Sequence, residues 1–259
     1  MRHPPTPDSN DFHSAASYGG GTGSVKFCDM KKIVLIRHGQ STYNKEKRFC
    51  GWTDADLTEQ GIAEAHKAKT TLKEAGYTFD LAFTSLLKRA NETLNIILSG
   101  SDKRDTLVEY SWLLNERRYG ALQGLRHEDM AAKFSPEQVL AWRRSYSVKP
   151  LQLTEDDPRH PKHDPKYKHL KAHELPAGES LADTVGRVLP YWHSRIVPEI
   201  KAGKQAIVSA SGNSLRALIK NLDNISDADI VGLEIATGNP VVYELEDETL
   251  KPIRHYYLC

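Results

Sequence analysis

The chain has 259 residues, 39% of them hydrophobic and 27% charged, an ordinary composition for a globular protein with one sizeable core. The net charge of +1 argues against nucleic acid and bulk membrane surfaces as partners, and no apolar run reaches the ~20 residues that cross a bilayer. Three scattered cysteines, Cys28, Cys50 and Cys259, do not suit a disulfide framework or a metal cluster and favour a reducing, cytoplasmic location.

Residues 1–30 are predicted to be a disordered N-terminal extension. This stretch is rich in Pro, Gly, Ser and Asp and has no periodic apolar pattern to bury. It lacks the apolar core of a secretory signal, and its aspartates argue against a transit peptide. One domain is therefore expected over residues 31–259.

From residue 31 onward, short apolar runs alternate with helical patterns. The run "IVLI" (33–36) is typical of a buried strand, and Thr58 is a predicted N-cap of a helix that ends at Gly76. The small and apolar positions of that helix are Ile62, Ala65, Ala68, Leu72 and Ala75. Further strands are predicted at 79–85, 106–114, 206–211 and 240–245, and helices at 86–98, 181–200 and 214–222, with Pro190 kinking or dividing the second of these. The alternation predicts a three-layer α/β/α sandwich with a mostly parallel central sheet.

Residues 135–174 differ in composition from the sequence on either side, because they combine several prolines with many charged residues. Only a short helical piece is expected, around 139–142. A long stretch of this kind inside a domain is typical of a functional lid or of a disordered loop. Arg143 and Arg144 within it would either cover an anionic group of a ligand or lie on a solvated helix face.

Charged side chains follow the predicted strand ends, where ligands of parallel sheets bind. Arg37 and His38 follow the first strand, Arg89 the second and Glu116 the third, and a Gly212-Asn213-Ser214 turn follows strand 206–211. Converging arginines suit a phosphate, and a carboxylate among them suits proton transfer to or from a hydroxyl. The alternative to a phosphate-binding site is a surface loop that happens to contain His38. The eleven histidines form no H-E-x-x-H arrangement, so no metal site is predicted.

The strings "LIRHGQSTYNKEKRFCGWTDADLTEQG", "TSLLKRANET", "LNERRYGALQGL", "WRRSY", "LPAGESL" and "SGNSLRALIK" together resemble one family. The chain is similar to 2,3-bisphosphoglycerate-dependent phosphoglycerate mutase, of the histidine phosphatase superfamily. The similarity runs in order from Lys32 to Leu258. It implies an isomerase of glycolysis and gluconeogenesis that interconverts 3- and 2-phosphoglycerate.

The resemblance implies a role for each matching residue. His38 would be the phosphohistidine, Arg37 and Arg89 would hold the transferred phosphoryl group, and Glu116 would give and take the proton. The substrate-binding set would be Ser41, Asn44, Cys50, Gly51, Tyr119, His127, Arg143, Arg144, Gly212 and Asn213. The family also implies 2,3-bisphosphoglycerate as the primer that phosphorylates His38, small phosphorylated glycerates as substrates, no metal, and a homodimer or homotetramer.

The sequence departs from the family most clearly at Ser211, where the family has a second active-site histidine. Loss of one stabiliser of the transferring group costs ~10²–10³ in rate. His127 or His173 would have to lie nearby to substitute for it. Milder departures are His127 in place of a lysine, Cys50 in place of a threonine and Arg118 in place of a histidine.

These departures leave several interpretations open. The first is a phosphoglycerate mutase with activity reduced by Ser211. The second is a phosphoglycerate phosphatase, in which phosphorylated His38 loses its phosphate to water. The third is a catalytically dead phosphoglycerate-binding pseudoenzyme, and the fourth is that Ser211 is an engineered substitution.

Overall fold

A computed structural model describes residues 30–100 and 106–258. The predicted N-terminal extension, except for Met30, lies outside the described residues. The strands are β1 Lys31–Arg37, β2 Leu81–Thr84, β3 Leu107–Tyr110, β4 Ala206–Ala210, β5 Val241–Leu245 and β6 Pro252–Tyr257. The helices are α1 Thr42–Lys45, α2 Glu59–Glu74, α3 Lys88–Leu98, α4 His127–Lys133, α5 Pro136–Arg144, α6 Leu181–Tyr191, α7 Val197–Lys201 and α8 Gly212–Leu222. Among these helices, none has the length and apolar character that a membrane crossing requires.

The strands form one six-stranded sheet in the order β3-β2-β4-β1-β5-β6. The pairs β3–β2, β2–β4 and β4–β1 are parallel, and β5 runs antiparallel to both β1 and β6. Because the parallel strands point the same way, the loops that follow β1, β2, β3 and β4 leave the sheet on one side.

Alternate residues of β1 belong to different cores. Ile33 and Leu35 pack in one cluster with residues of α6, α7 and α8, whereas Val34 and Ile36 pack in a second cluster with residues of α2 and α3. All four side chains are at most 1% exposed, and burial of such a side chain contributes about 1.5–3 kcal/mol. The sheet is therefore covered by helices on both faces, which confirms the predicted three-layer α/β/α sandwich.

Helix α2 begins as predicted, because the Thr58 hydroxyl accepts a hydrogen bond from the Gly61 amide at 3.1 Å. Its buried face consists of Gly61, Ala65, Ala68 and Leu72. Of the other small and apolar positions named for this helix, Ile62 is 42% exposed and Ala75 is the exposed residue that ends the helix. The close approach of Gly61 to the loop after β1 places Ile62 on the outer side.

Two glycines allow that loop to contact α2 directly. A Cβ on Gly39 would lie 2.2 Å from the Gly61 carbonyl oxygen, and a Cβ on Gly61 would lie 2.1 Å from the Gln40 carbonyl oxygen. Real side chains do not tolerate such distances from backbone atoms. The backbone next to His38 is thus held against the first turn of α2.

The predicted strand at 106–114 is shorter in the structure. Strand β3 ends at Tyr110, and the Ser111 hydroxyl then accepts a hydrogen bond from the Leu113 amide and starts a 3₁₀ turn over Trp112–Leu114. Strand β6 was not predicted, because as an edge strand it leaves most of its side chains exposed and shows no apolar period.

Pro190 lies inside α6 without ending it, and the chain widens to a π turn only over Trp192–Ile196 before α7. The carbonyl of Pro190 accepts a hydrogen bond from the Ser194 hydroxyl at 2.7 Å. The interruption predicted for 181–200 therefore falls just after Pro190.

Residues 135–174 carry α5 followed by short 3₁₀ turns. Trp142 is buried among Phe49, Tyr119 and neighbouring apolar side chains. Tyr167, which is 1% exposed, stacks against Trp52 with ring centroids 4.7 Å apart. The segment packs onto the domain through these aromatic contacts, and its role as a lid stays a prediction.

Candidate active site

The loops after β1, β2, β3 and β4 surround a cavity of about 140 Å³. Its lining residues are Arg37, His38, Asn44, Arg48, Phe49, Cys50, Arg89, Glu116, Tyr119, His127, Arg143, Arg144, Gly212, Asn213, Arg216 and Ile235. Cationic side chains predominate, and Glu116 is the one carboxylate in this lining. The side chains predicted to meet at the strand ends do meet there.

The hydrogen bonds of His38 define its tautomer. Arg89 Nε lies 3.0 Å from His38 Nε2, and because a guanidinium can only donate, Nε2 must carry a lone pair. His38 Nδ1 then bears the proton and donates it to the Gly39 carbonyl at 2.7 Å. Burial, with Arg89 and Arg37 nearby, holds the pKa of His38 well below its usual value. The imidazole is therefore neutral, with a nucleophilic nitrogen at the cavity.

Arg89 links His38 to two other parts of the site. Its Nη1 and Nη2 donate to the carbonyls of Thr53 and Gly51, each at 2.9 Å. Nη2 also donates to the hydroxyl of Ser211 at 3.2 Å. Ser211 is the N-cap residue of α8, but its side chain makes no capping hydrogen bond and faces Arg89 instead.

Glu116 lies at the N-terminus of α8. Its carboxylate accepts hydrogen bonds from the Arg117 amide at 2.6 Å, from Asn213 Nδ2 at 2.7 Å and from the Asn213 amide at 3.3 Å. Arg216 Nη1 donates to Asn213 Oδ1 at 3.2 Å, which turns the amide nitrogen of Asn213 toward Glu116. Asn213 Nδ2 is also 3.2 Å from the Tyr119 hydroxyl.

Two further side chains fix the backbone of Glu116 through hydrogen bonds to its carbonyl. Its carbonyl accepts from Trp52 Nε1 at 2.6 Å and from Arg187 Nη2 at 3.0 Å. Arg187 in turn forms a buried ion pair with Glu179, at 2.7 Å. Both side chains of the pair are under 10% exposed, so loss of one would leave an unpaired buried charge.

Arg37 reaches the cavity from the end of β1. Its Nη1 donates to the Ile235 carbonyl at 2.8 Å, while its buried Nε has no hydrogen-bond partner within the described residues. Burial lowers the pKa of this guanidinium. A Cβ on Gly212 would lie 3.5 Å from Arg37 Nε and 3.8 Å from Glu116 Oε2, so the absence of a side chain there leaves the space between these groups open.

Helix α5 ends at the cavity and is held there by buried arginines. The Arg143 carbonyl accepts from Arg117 Nη2 at 2.5 Å, and the Arg144 carbonyl accepts from Arg216 Nη2 at 3.2 Å. Cations at a helix C-terminus also complement its dipole. Arg144 Nη2 bonds Glu234 at 2.5 Å, and the Arg143 guanidinium lines the cavity with its pKa lowered by burial.

His127 and Cys50 line the cavity as neutral groups. Burial, together with Arg143 and Lys47, lowers the pKa of His127 to about 4, and its ring contacts Phe49 edge-on at 4.5 Å. Burial raises the pKa of the Cys50 thiol, which lies 3.5 Å from the Thr53 carbonyl. Neither residue adds positive charge to the site at neutral pH.

Three predicted site residues do not line the cavity. Ser41 caps α1, with its hydroxyl 3.0 Å from Asn44 Oδ1, and thereby positions Asn44, which does line it. Gly51 contributes its carbonyl to Arg89, and its positive φ of 57° favours glycine. Ser211 contacts the site through Arg89. His173, the other candidate for a substitute imidazole, lies on an exposed turn and does not line the cavity.

Sequence reasoning missed the lining residues Arg48, Phe49, Arg216 and Ile235. Arg216 could have been predicted from helical spacing, because it follows Asn213 by one turn and so faces the same side of α8. No sequence pattern could have identified Ile235, since it lies in a loop between α8 and β5 that has no motif.

A neutral histidine, arginines and a carboxylate lie together at the carboxyl ends of parallel strands, an arrangement that suits phosphoryl transfer. The family model of the histidine phosphatase superfamily (branch 1) matches residues 33–160, from β1 through Glu116 to His160. Residues 33–160 are therefore similar to the histidine phosphatase superfamily (branch 1).

Solved structures agree on this fold. Mycobacterial glucosyl-3-phosphoglycerate phosphatase is 25% identical over 82% of this chain and 92% of its own, with a TM-score of 0.60. The α-ribazole phosphatase of Shigella flexneri is 21% identical over 86% of this chain and 94% of its own, with a TM-score of 0.61. YhfR of Bacillus stearothermophilus is 19% identical over 86% and 95%, with a TM-score of 0.65. The last two identities are low, so these structures show the fold alone.

Proposed function

We propose that this protein is a phosphatase that acts through a phosphohistidine on small phosphorylated carboxylic acids of the phosphoglycerate class. One observation carries the proposal: His38 Nε2 holds a lone pair at the wall of a cavity lined by arginines and by Glu116. One similar structure, 25% identical to this chain, is named as a phosphatase of a phosphoglycerate derivative. This name favours water over a second hydroxyl as the final acceptor.

In the first step, His38 Nε2 attacks phosphorus and the ester P–O bond breaks. Protonated Glu116 gives its proton to the leaving oxygen, which departs as an alcohol. Arg89 Nε, now hydrogen-bonded to Nε2, would instead face an oxygen of the phosphoryl group, and Arg37 Nε would gain the partner that it lacks. Positive charge placed in advance around the transferring group stabilises it without reorganisation.

In the second step, water attacks the phosphorus of phosphohistidine and the P–N bond breaks. Glu116, now a carboxylate, takes a proton from the water, and phosphate leaves. His38 returns to its neutral form and Glu116 to its acid form, so the cycle closes. No metal or redox group is needed for this balance.

The carboxylate of the substrate would lie on the α5 side of the cavity. Arg143 and Arg144 line this side, and Arg48 adds a further cation. The guanidinium groups match carboxylate and phosphate geometry. A second anionic group on the substrate is therefore part of the proposal.

The same cations favour a second candidate, phosphoglycerate mutase. Arg143, Arg144 and Arg48 would hold the second phosphate of 2,3-bisphosphoglycerate, which that reaction needs as a primer, while Arg37 and Arg89 hold the first. The motifs that resemble the mutase family support it, and Ser211 weakens it.

A labelling experiment separates the candidates. The protein is incubated with ³²P-labelled 3-phosphoglycerate or 2,3-bisphosphoglycerate, quenched in base, and tested for acid-labile label, with His38→Asn as the control. Label on His38 with phosphate release and no isomerisation supports the phosphatase. Isomerisation that depends on 2,3-bisphosphoglycerate supports the mutase, and no label with tight ligand binding supports a binding protein without catalysis.

A further inference from the structure

The two neighbouring arginines at the end of α5 differ in their hydrogen bonds. Arg144 Nη1 donates to the Leu233 carbonyl at 3.1 Å, and Arg144 Nη2 donates to the Glu234 carboxylate at 2.5 Å. The guanidinium of Arg143 lines the catalytic cavity and forms no hydrogen bond or ion pair within the described residues. One guanidinium is therefore available to a ligand, whereas its neighbour already holds a carboxylate.

Arg48, a third cation of this lining, is paired in the same way as Arg144. Its Nε donates to Glu46 at 2.5 Å and its Nη1 donates to the Gly124 carbonyl at 2.8 Å. Glu46 lines neither the catalytic cavity nor the larger cavity beside it, whereas Glu234 is the one carboxylate in the lining of the larger cavity, together with Arg144. Glu234 is therefore the carboxylate that a ligand on the α5 side would meet.

The pair of Arg144 and Glu234 is an exposed interaction that a ligand can break. The side chain of Glu234 is 79% exposed and that of Arg144 is 22% exposed. Exposed ion pairs are weak, so breaking this one costs a ligand at most about fivefold in affinity. Competition for Arg144 therefore lowers the affinity of a ligand without preventing its binding.

Carboxylates and phosphates differ in how many guanidinium groups they use. A carboxylate has two oxygens, and one guanidinium can bind both through parallel hydrogen bonds. A phosphate monoester has three free oxygens and up to two negative charges, so a second guanidinium adds to its binding. At the end of α5, Arg143 is the first guanidinium and Arg144 is the second, which Glu234 occupies.

We propose that Glu234 is a specificity-determining residue, which lets the α5 side of the site accept a carboxylate on Arg143 and disfavours a second phosphate there. A monophosphorylated carboxylic acid leaves the pair of Arg144 and Glu234 intact, whereas a bisphosphorylated ligand must break it. The placement of the ligand rests on the proposed function. The selectivity acts against the bisphosphorylated primer that a mutase needs and favours transfer of the phosphoryl group to water.

Calorimetry tests this without turnover. The dissociation constants of 3-phosphoglycerate and 2,3-bisphosphoglycerate are measured with the full chain carrying His38→Asn. We expect the addition of Glu234→Gln to tighten the binding of 2,3-bisphosphoglycerate about fivefold and to leave that of 3-phosphoglycerate within about twofold. Asp247→Asn is the matched control, because it removes the same charge and a surface ion pair with Lys31 at the start of β1, and it should change neither constant beyond about twofold.

Arg144→Met tests the route through which Glu234 acts. In this background, Glu234→Gln should change the dissociation constant of 2,3-bisphosphoglycerate by less than about twofold, because no guanidinium remains to be released. Binding of 3-phosphoglycerate to Arg143 should persist in the same variant, which also reports that the site is folded.

Three results overturn the proposal. They are an equal effect of Glu234→Gln on both ligands, a fivefold gain that persists without Arg144, and loss of 3-phosphoglycerate binding from a folded Arg144→Met variant. Absence of label on wild-type His38 would overturn the phosphatase instead, while a gain confined to 2,3-bisphosphoglycerate would still establish the role of Glu234.

Discussion

Ser211→His is the substitution that the geometry of the site singles out. The Ser211 hydroxyl is 3.2 Å from Arg89 Nη2, and Arg89 Nε is 3.0 Å from His38 Nε2, so one guanidinium separates position 211 from the nucleophile. An imidazolium there adds a charged donor to the transferring group, which is worth about 3–4 kcal/mol. The hydrogen bond from Arg89 to the Ser211 hydroxyl is lost in this variant, which offsets about 1 kcal/mol of that gain. The expected net gain is about 2–3 kcal/mol, or ~10²-fold in the rate of phosphohistidine formation.

The introduced imidazole will depend on pH. Burial and the two arginines that lower the pKa of His38 act on it as well, so it is neutral in the empty site. A bound phosphoryl dianion favours its cationic form. The gain in rate should therefore increase as the pH falls from 8 to 6.

Rapid-quench measurement of label on His38 tests this prediction. Ser211→Ala is the matched control, and we expect it to slow labelling by about fivefold, because only a hydrogen bond is lost. If Ser211→His folds, binds substrate and labels no faster than Ser211→Ala, position 211 does not act on the phosphoryl group and the reasoning is refuted.

Three further outcomes are expected. Arg216→Gln removes the guanidinium that turns the Asn213 amide toward Glu116, so kcat is expected to fall about tenfold with little change in KM; a loss carried by KM with kcat unchanged would contradict this role. His127 has a pKa of about 4, below that of an unfolded histidine, so the stability it contributes is present above pH 6.5 and lost as the pH falls toward 4. His127→Gln should flatten the free energy of unfolding between these values in denaturant titrations, and an unchanged slope would count against it. Arg187→Met leaves Glu179 buried without its partner and should cost about 3–5 kcal/mol in urea unfolding; a loss below about 1 kcal/mol would show the pair to be dispensable.

The architecture and the centre of the site could be predicted because both follow from local pattern. Apolar runs of four to six residues gave strands, and polar residues directly after them had to meet at one edge of a parallel sheet. His38, Arg89 and Glu116 were found in this way, and the family model that matches residues 33–160 agrees with the superfamily suggested by the motifs around them.

The remainder depends on contacts between distant parts of the chain. Arg37 bonds the carbonyl of Ile235, 198 residues away, and no local pattern encodes that contact. The tautomer of His38 likewise follows only from the position of Arg89 Nε. A larger cavity beside the site is lined by side chains from the segment after β1 and from the loop before β5, so its chemistry could not be read from any single motif.

The contact between Gly39 and Gly61 has a consequence for reading mutational data. Neither glycine offers a side chain to a ligand, yet any larger residue at either position must move backbone that adjoins His38. A saturation scan scored by activity would find both glycines as intolerant of substitution as His38. From such data, the first turn of α2 would wrongly be assigned to the reaction centre. Scoring the same library by abundance as well would separate residues that shape the loop from those that perform chemistry.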